Sequence, residues 1–316
     1  MISAGTPSDV RTTETRPPIP SIPLSIVIAT TKPWPEVRGC LDSLHSQARF
    51  AGAEIIVADG HGRGLAEDGD ASYPDVVWLK KPHASVFVLR GLAMARARGA
   101  LVAVTEDHCR VAPDWCERII KAHAQHPEAA AIGGAVENGA TERLIDWANF
   151  LLVFAPFVLP IESGPSERIC LQANISYKRH VLPQDMPELG MMEMLFNQRL
   201  HAQGDTLIAD DRLLVYHVQS WGFFGTFAAH FHNGRSIAGF RLPTMGWPER
   251  VLRLGGCPLL PPVLLWRTLR PIWKKRRLYI RTLACLHLLA CVVCCHAAGE
   301  FIGYLAGPGE SPQRLA

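Results

Sequence analysis

Apolar and polar positions in the first 130 residues switch between two periods. Short apolar runs at 24–29 (LSIVIA), 54–58 (EIIVA), 76–79 and 101–104 have the length and β-branched content of buried strands. Between them, 36–47, 86–99 and 113–126 read as helices. Val37, Cys40, Leu41 and Leu44 share one face of the first, and Trp115, Ile119 and Ile120 one face of the last. Strand, helix, strand, strand, helix, strand, helix is the alternation of a nucleotide-binding α/β half. A glycine-rich loop with acids is expected at 60–70.

The pattern is less regular past residue 129. Runs 130–136, 170–177 and 205–217 predict strands, and 191–202 a helix. The stretch 144–159, with Trp147, Phe150, Phe154 and Phe157, reads either as a buried helix or as an acceptor-side surface touching lipid. Segment 221–240 is aromatic, His-rich and expected to be helical. Segment 251–265 is apolar but broken by Gly255, Gly256, Pro258, Pro261 and Pro262, and is expected to lie along a membrane interface. As a helix, 282–304 would span roughly 34 Å, the thickness of a bilayer core. It is expected to cross once or to return as a hairpin near His296; a buried helix pair in a soluble protein is the alternative. His287, His296 and Glu300 weaken it as a lipid-facing helix. Residues 1–22, rich in Ser, Thr and Pro, lack a signal-peptide core and read as a disordered leader.

Composition narrows the class. A chain of 316 residues that is 48% apolar has ample core for one large domain or two ordinary ones and is not a disordered chain. A net charge of +3 is too small to point to nucleic acid, and no nucleic-acid partner is expected. The local basic excess sits at 267–281, just before the apolar C-terminal stretch, which places that run on the cytosolic side. The nine cysteines are odd in number and lack zinc spacing, so they are expected to act as small apolar residues.

Candidate chemistry gathers where strands end. Thr105-Glu106-Asp107-His108 follows the fourth predicted strand, and ligands of open α/β sheets collect at carboxyl ends of strands. Two acids and an imidazole there suit a divalent cation held against a phosphate; a solvated turn is the plain alternative. Thr30 and Asp59 end the first two strands. Arg90 opens the helix before the acidic tetrapeptide, and Trp115 of Ala-Pro-Asp-Trp stands just beyond it.

In this order the residues resemble the inverting family 2 glycosyltransferases of GT-A fold, over about residues 22–240. The resemblance implies a mixed α/β sheet flanked by helices, with a nucleotide-sugar half at 23–128 and an acceptor half at 129–240. An interfacial segment (241–281), a transmembrane or membrane-associated helix (282–306) and a tail (307–316) would follow. It sets Glu106 and His108 on the carboxylate positions of the family's Asp-x-Asp metal motif, with Asp107 between them. An imidazole ligand favours Mn²⁺ over Mg²⁺. Thr30, Asp59 and Thr105 are expected around the nucleotide-sugar, more often a UDP-sugar, with Arg90 on its diphosphate. Counting back from Arg199 puts Met192 and Glu193 on the family's Glu-Asp pair, which makes Glu193 the expected general base. Asn174 would shape the acceptor side, His217 would be a third metal ligand, and Arg235, near His230 and His232, a diphosphate clamp. The acceptor would be lipid-linked or a surface glycan, at the cytosolic face of the membrane. Two alternatives stand beside this reading. A nucleotidyltransferase would want glycines after the first strand, where the chain has Thr-Thr-Lys-Pro-Trp-Pro. The departures from the motif would also suit a degenerate membrane scaffold.

Overall fold

The computed structural model describes residues 22–61, 72–183 and 190–315. The expected leader, except its last residue, and most of the expected glycine-rich loop lie outside the described residues. Strands β1 (Leu24–Thr30), β2 (Glu54–Asp59) and β3 (Val76–Lys80) alternate with helices α1 (Arg38–Phe50) and α2 (Val86–Arg96). Then come β4 (Leu101–Glu106), β5 (Cys109–Val111), α3 (Trp115–Gln125), β6 (Ala129–Asn138) and α4 (Leu144–Phe154). The two-residue β7 (Gly164–Pro165), β8 (Ile175–Lys178), α5 (Glu193–Ala202) and β9 (Thr206–His217) complete the sheet region. Four helices close the chain: α6 (Phe223–Arg241), α7 (Trp247–Gly256), α8 (Leu260–Lys275) and α9 (Tyr279–Ala306).

The strands form one mixed sheet in the order β3-β2-β1-β4-β8-β6-β9-β5, with β7 against β9. β1 pairs in parallel with β2 and β4, and β8 runs antiparallel between β4 and β6. β1 and β2 are buried along their whole length, which is why they read as continuous apolar runs. One face of the sheet packs on α1, α3 and α4 through Leu41, Leu44, Ile119 and Phe150; the other packs on α2 and α5 through Leu89, Phe196 and Leu200.

Three expectations are corrected. The strand expected at 170–177 begins only at Ile175, because the chain turns at Asn174, whose N–H donates to the Leu171 carbonyl at 3.1 Å. The helix expected over 144–159 stops at Phe154 and tightens into a 3₁₀ turn containing Pro156. Segment 251–265 holds the end of α7 and the start of α8, with a break at Cys257–Leu259 around Pro258, inside the stretch of glycines and prolines expected to interrupt it. No hairpin forms near His296, since α9 runs unbroken for 28 residues. The inner side of α9 packs against α6 and α4. A Cβ on Gly234 would stand 2.1 Å from the His296 carbonyl oxygen, so only glycine lets α6 and α9 cross this closely.

Candidate active site

A cavity of about 400 Å³ opens at the carboxyl end of β4 and runs between α5 and the C-terminal helices. Glu106, Asp107, His108 and His217 lie on one flank, and Arg90 and Glu193 also line it. The register between β5 and β9 makes the first cluster. β4 ends at Glu106, the chain turns at Asp107-His108, and β5 pairs antiparallel to β9 with Cys109 opposite His217. That register stacks His108 on His217, the two rings 4.6 Å apart and edge to face. β5 is only three residues long, too short for a periodicity signal, and the sequence reading missed it.

Three donor atoms converge there. His108 Nε2 is 2.9 Å from His217 Nε2, and Glu106 Oε2 is 3.6 Å and 3.5 Å from them. Oε2 is buried without a hydrogen-bond partner. Burial pushes the Glu106 carboxyl up, but the facing imidazoles and the Arg90 charge outweigh it and hold the carboxyl below its usual range. Burial, followed by the His108 charge, pushes His217 down, which favours the neutral imidazole that ligates metals. Two imidazoles and a carboxylate within 4.8 Å of one another fit a divalent transition-metal ion. Asp107 faces differently. It accepts from Thr30 Oγ1 and His108 Nδ1, each at 2.6 Å, and so orients the His108 ring with Nε2 toward the cluster.

Glu193 stands at the start of α5, 2% exposed. Gly190 aims this helix. Its φ is +86°, and a Cβ there would lie 2.1 Å from the Phe87 carbonyl carbon. The Met191 N–H then donates to the Phe87 carbonyl at 2.9 Å, docking the entry of α5 onto the first turn of α2, which carries Arg90. Arg90 Nη1 donates to Glu193 Oε2 at 3.0 Å in a buried pair. Glu193 Oε1 and Arg90 Nε have no hydrogen-bond partner. Burial raises the Glu193 carboxyl; Arg90 opposes this without cancelling it, and the Glu106 charge adds to it. The two glutamates are thus shifted in opposite directions, one on each wall.

Other expected residues sit elsewhere. The Thr105 hydroxyl donates to the Ala173 carbonyl at 3.0 Å and ties β4 to the turn before β8. Thr30 and Asp59 are neighbours across β1 and β2, both buried, and neither lines the cavity, whereas Ala29 and Thr31 do. Asp59 Oδ1 accepts from the His61 N–H at 2.7 Å. Asn174 is a strut of the sheet: its Nδ2 donates to the Ala135 and Leu213 carbonyls, and its Oδ1 accepts from Trp115 Nε1. Arg235 is not at the cavity; its Nε donates to the Gly307 carbonyl at 2.9 Å, which pins the C-terminal end of α9. Sequence reading missed Asn197, one turn after Glu193, whose buried Nδ2 has no hydrogen-bond partner while its Oδ1 accepts from Tyr177. Its signal was the four-residue spacing that puts both on one helix face.

The sequence profile of Glycosyl transferase family 2 matches residues 25–184, half of the chain. The chain belongs to glycosyl transferase family 2. Among solved structures, the mannosyltransferase PcManGT from Pyrobaculum calidifontis, in complex with GDP-Man and Mn²⁺, is similar over 90% of this chain and 87% of that chain, at 16% identity and a TM-score of 0.53. S. aureus TarS 1-349 is similar over 89% of this chain and 91% of that chain, at 12% identity and a TM-score of 0.48. No curated protein matches the sequence. The mixed sheet flanked by helices is therefore the GT-A fold of a family 2 glycosyltransferase, an enzyme that takes its sugar from a nucleotide-sugar. Membership in this family sets aside the nucleotidyltransferase alternative.

Proposed function

We propose that this family 2 glycosyltransferase is metal-dependent and inverting, and that Glu193 is its general base. One observation carries the reading: the Glu106, His108 and His217 cluster and Glu193 line a single cavity, with opposite pKa shifts on its two walls. Glu106, His108 and His217 would hold a Mn²⁺ ion, which when bound neutralises charge on the leaving diphosphate. PcManGT, of the same fold, holds GDP-Man and Mn²⁺. The remaining steps belong to this chain's own side chains. Glu193 Oε1, bare and desolvated, accepts the acceptor hydroxyl's proton as that oxygen attacks the anomeric carbon. Arg90 fixes the carboxylate through Oε2 and offers its free Nε to an anionic group in the cavity. Ala29 and Thr31, which line the cavity beside the buried Thr30 and Asp59, would face the base and ribose; a UDP-sugar is the donor favoured by the resemblance.

The acceptor would reach the cavity from a membrane surface, as a lipid-linked saccharide or a surface glycan on the cytosolic face. Helix α9 is apolar and long enough to cross a membrane, yet 44% of its most apolar window is buried in the protein. Trp247, Leu252, Trp266, Trp273 and Leu283 of α7, α8 and α9 are exposed, next to the basic run 267–281. Aromatic and aliphatic side chains beside Lys and Arg suit an anionic lipid interface. The test is nucleotide diphosphate release from a panel of UDP- and GDP-sugars with Mn²⁺. Release that vanishes in Glu193→Gln and Glu106→Ala is expected; release that persists undiminished in both would refute the assignment.

A further inference from the structure

Away from the metal flank, the cavity runs under the C-terminal helices to a polar wall that the transfer chemistry does not use. His230 of α6 and His296 of α9 line it, both buried. Each imidazole has one nitrogen fixed and one bare. His230 Nε2 is 2.9 Å from Asn149 Oδ1, and His296 Nε2 is 3.3 Å from Glu300 Oε1. Both oxygens accept, so each Nε2 carries a proton; burial lowers the pKa of His230 to about 3, which keeps that ring neutral and leaves its Nδ1 a lone-pair acceptor. Both Nδ1 atoms are buried with no hydrogen-bond partner. The Glu300 carboxylate is held in turn by Arg241 Nη1 at 3.1 Å and the Tyr304 hydroxyl at 3.2 Å, which fixes the side of the His296 ring that faces it. The rings stand 6.4 Å apart, brought together by the close crossing at Gly234.

Buried ring nitrogens left unmet are costly, and two in one cavity, one of them an acceptor, call for a ligand whose groups both donate and accept, as hydroxyls do. A phosphate or carboxylate brings no hydrogen to a bare lone pair. The neighbouring wall is apolar and aromatic, with Trp221, Leu152, Ile237 and Leu264. An apolar face for C–H groups and a few acceptors for O–H groups match a pyranose ring. We propose that His230 and His296 form a hydroxyl-recognition subsite, and that the acceptor is a neutral glycoside read through its sugar hydroxyls. The proposal rests on the transferase reading above and names the acceptor class for that same cavity.

The experiment uses the full chain with Mn²⁺ and whichever nucleotide-sugar it turns over. Octyl β-D-glucopyranoside, octyl α-D-mannopyranoside, octyl β-D-galactopyranoside and octyl phosphate are compared as acceptors by nucleotide diphosphate release. At least one glycoside accelerates release. For that glycoside, His230→Leu and His296→Leu each raise KM about five- to tenfold with a smaller change in kcat, the loss of one neutral hydrogen bond. His230→Gln, which keeps an acceptor oxygen, recovers most of the loss. Acceleration by octyl phosphate alone, by no glycoside, or an unchanged KM in both leucine variants overturns the proposal. The thermal shift from the donor is read in parallel against that from the nucleotide diphosphate. A shift lost only for the intact donor in His230→Leu assigns the hydroxyls to the donor sugar and overturns the acceptor assignment. Turnover of no donor at all by the wild type takes down the transferase reading as well, and wild type without acceptor reveals that separately.

Discussion

Replacing Arg90 by Met separates the two effects that burial and charge have on Glu193. The pair is 3.0 Å long, and its side chains are 6% and 2% exposed, so solvent screens it little. Removing one partner of a buried pair leaves an uncompensated charge and costs about 3–5 kcal/mol. Burial already raises the Glu193 carboxyl, and Arg90 is the largest influence opposing it, so its loss moves that pKa further up. Each unit corresponds to about 1.4 kcal/mol, so part of the penalty is relieved as Glu193 takes up a proton. Two measurements follow. Urea unfolding at pH 7 shows Arg90→Met destabilised by about 3 kcal/mol or more, while Arg90→Met with Glu193→Leu recovers much of the loss, because an apolar pair leaves no buried charge. The acid limb of kcat/KM, raised by the burial of Glu193 in the wild type, moves further up in Arg90→Met. The activity falls as pH drops through the raised pKa, because the base must be unprotonated to accept. A double variant no more stable than Arg90→Met, together with an acid limb that does not move, would refute the role given to this pair.

Three further outcomes are expected. Gly190→Ala forces a Cβ to 2.1 Å from Phe87 backbone at φ +86°, so it shifts the start of α5 and lowers kcat on the order of a hundredfold while leaving Mn²⁺ binding intact; equal loss of metal binding would contradict the separation of the two walls. His123 is buried, with its pKa lowered to about 4 by burial and then by the Lys178 and His126 charges. The unfolded chain protonates it first, near pH 6.5, so stability falls from there down to about pH 4, by roughly 3 kcal/mol from this residue; His123→Asn flattens that slope in urea unfolding, and an unchanged slope would count against the buried neutral state. Trp266→Glu with Trp273→Glu lowers sedimentation with anionic lipid vesicles at least about tenfold, and wild-type protein that ignores such vesicles would remove the membrane seat.

The N-terminal part of the sheet was legible because β1 and β2 are buried along their whole length, and continuous apolar runs such as LSIVIA and EIIVA have few other readings. Glu106, His108 and His217 could be proposed from sequence as ligands, but their convergence depends on the Cys109–His217 register, which a three-residue strand does not announce. Asp107 and Thr105 illustrate the same limit: a continued strand would put them on one face, but β4 ends at Glu106, so Asp107 in the turn orients His108 while Thr105 braces Ala173. Arg235 was misplaced for a different reason. A helical period shows which residues share a face, but not that α9 would return along α6 and claim Arg235 at Gly307. The polar wall of His230 and His296 joins positions 66 residues apart through that same crossing, beyond the reach of any local pattern.

The central claim is that Glu106, His108 and His217 bind one divalent cation through two imidazole nitrogens and a carboxylate. Electron spin-echo envelope modulation of Mn²⁺ bound to the protein reads directly coordinated nitrogen without any turnover. Modulation from two ¹⁴N nuclei is expected, falling to one in His217→Ala and in His108→Ala and unaffected by Glu193→Gln. Bound Mn²⁺ with no nitrogen coupling, or coupling that survives both histidine substitutions, would contradict the account.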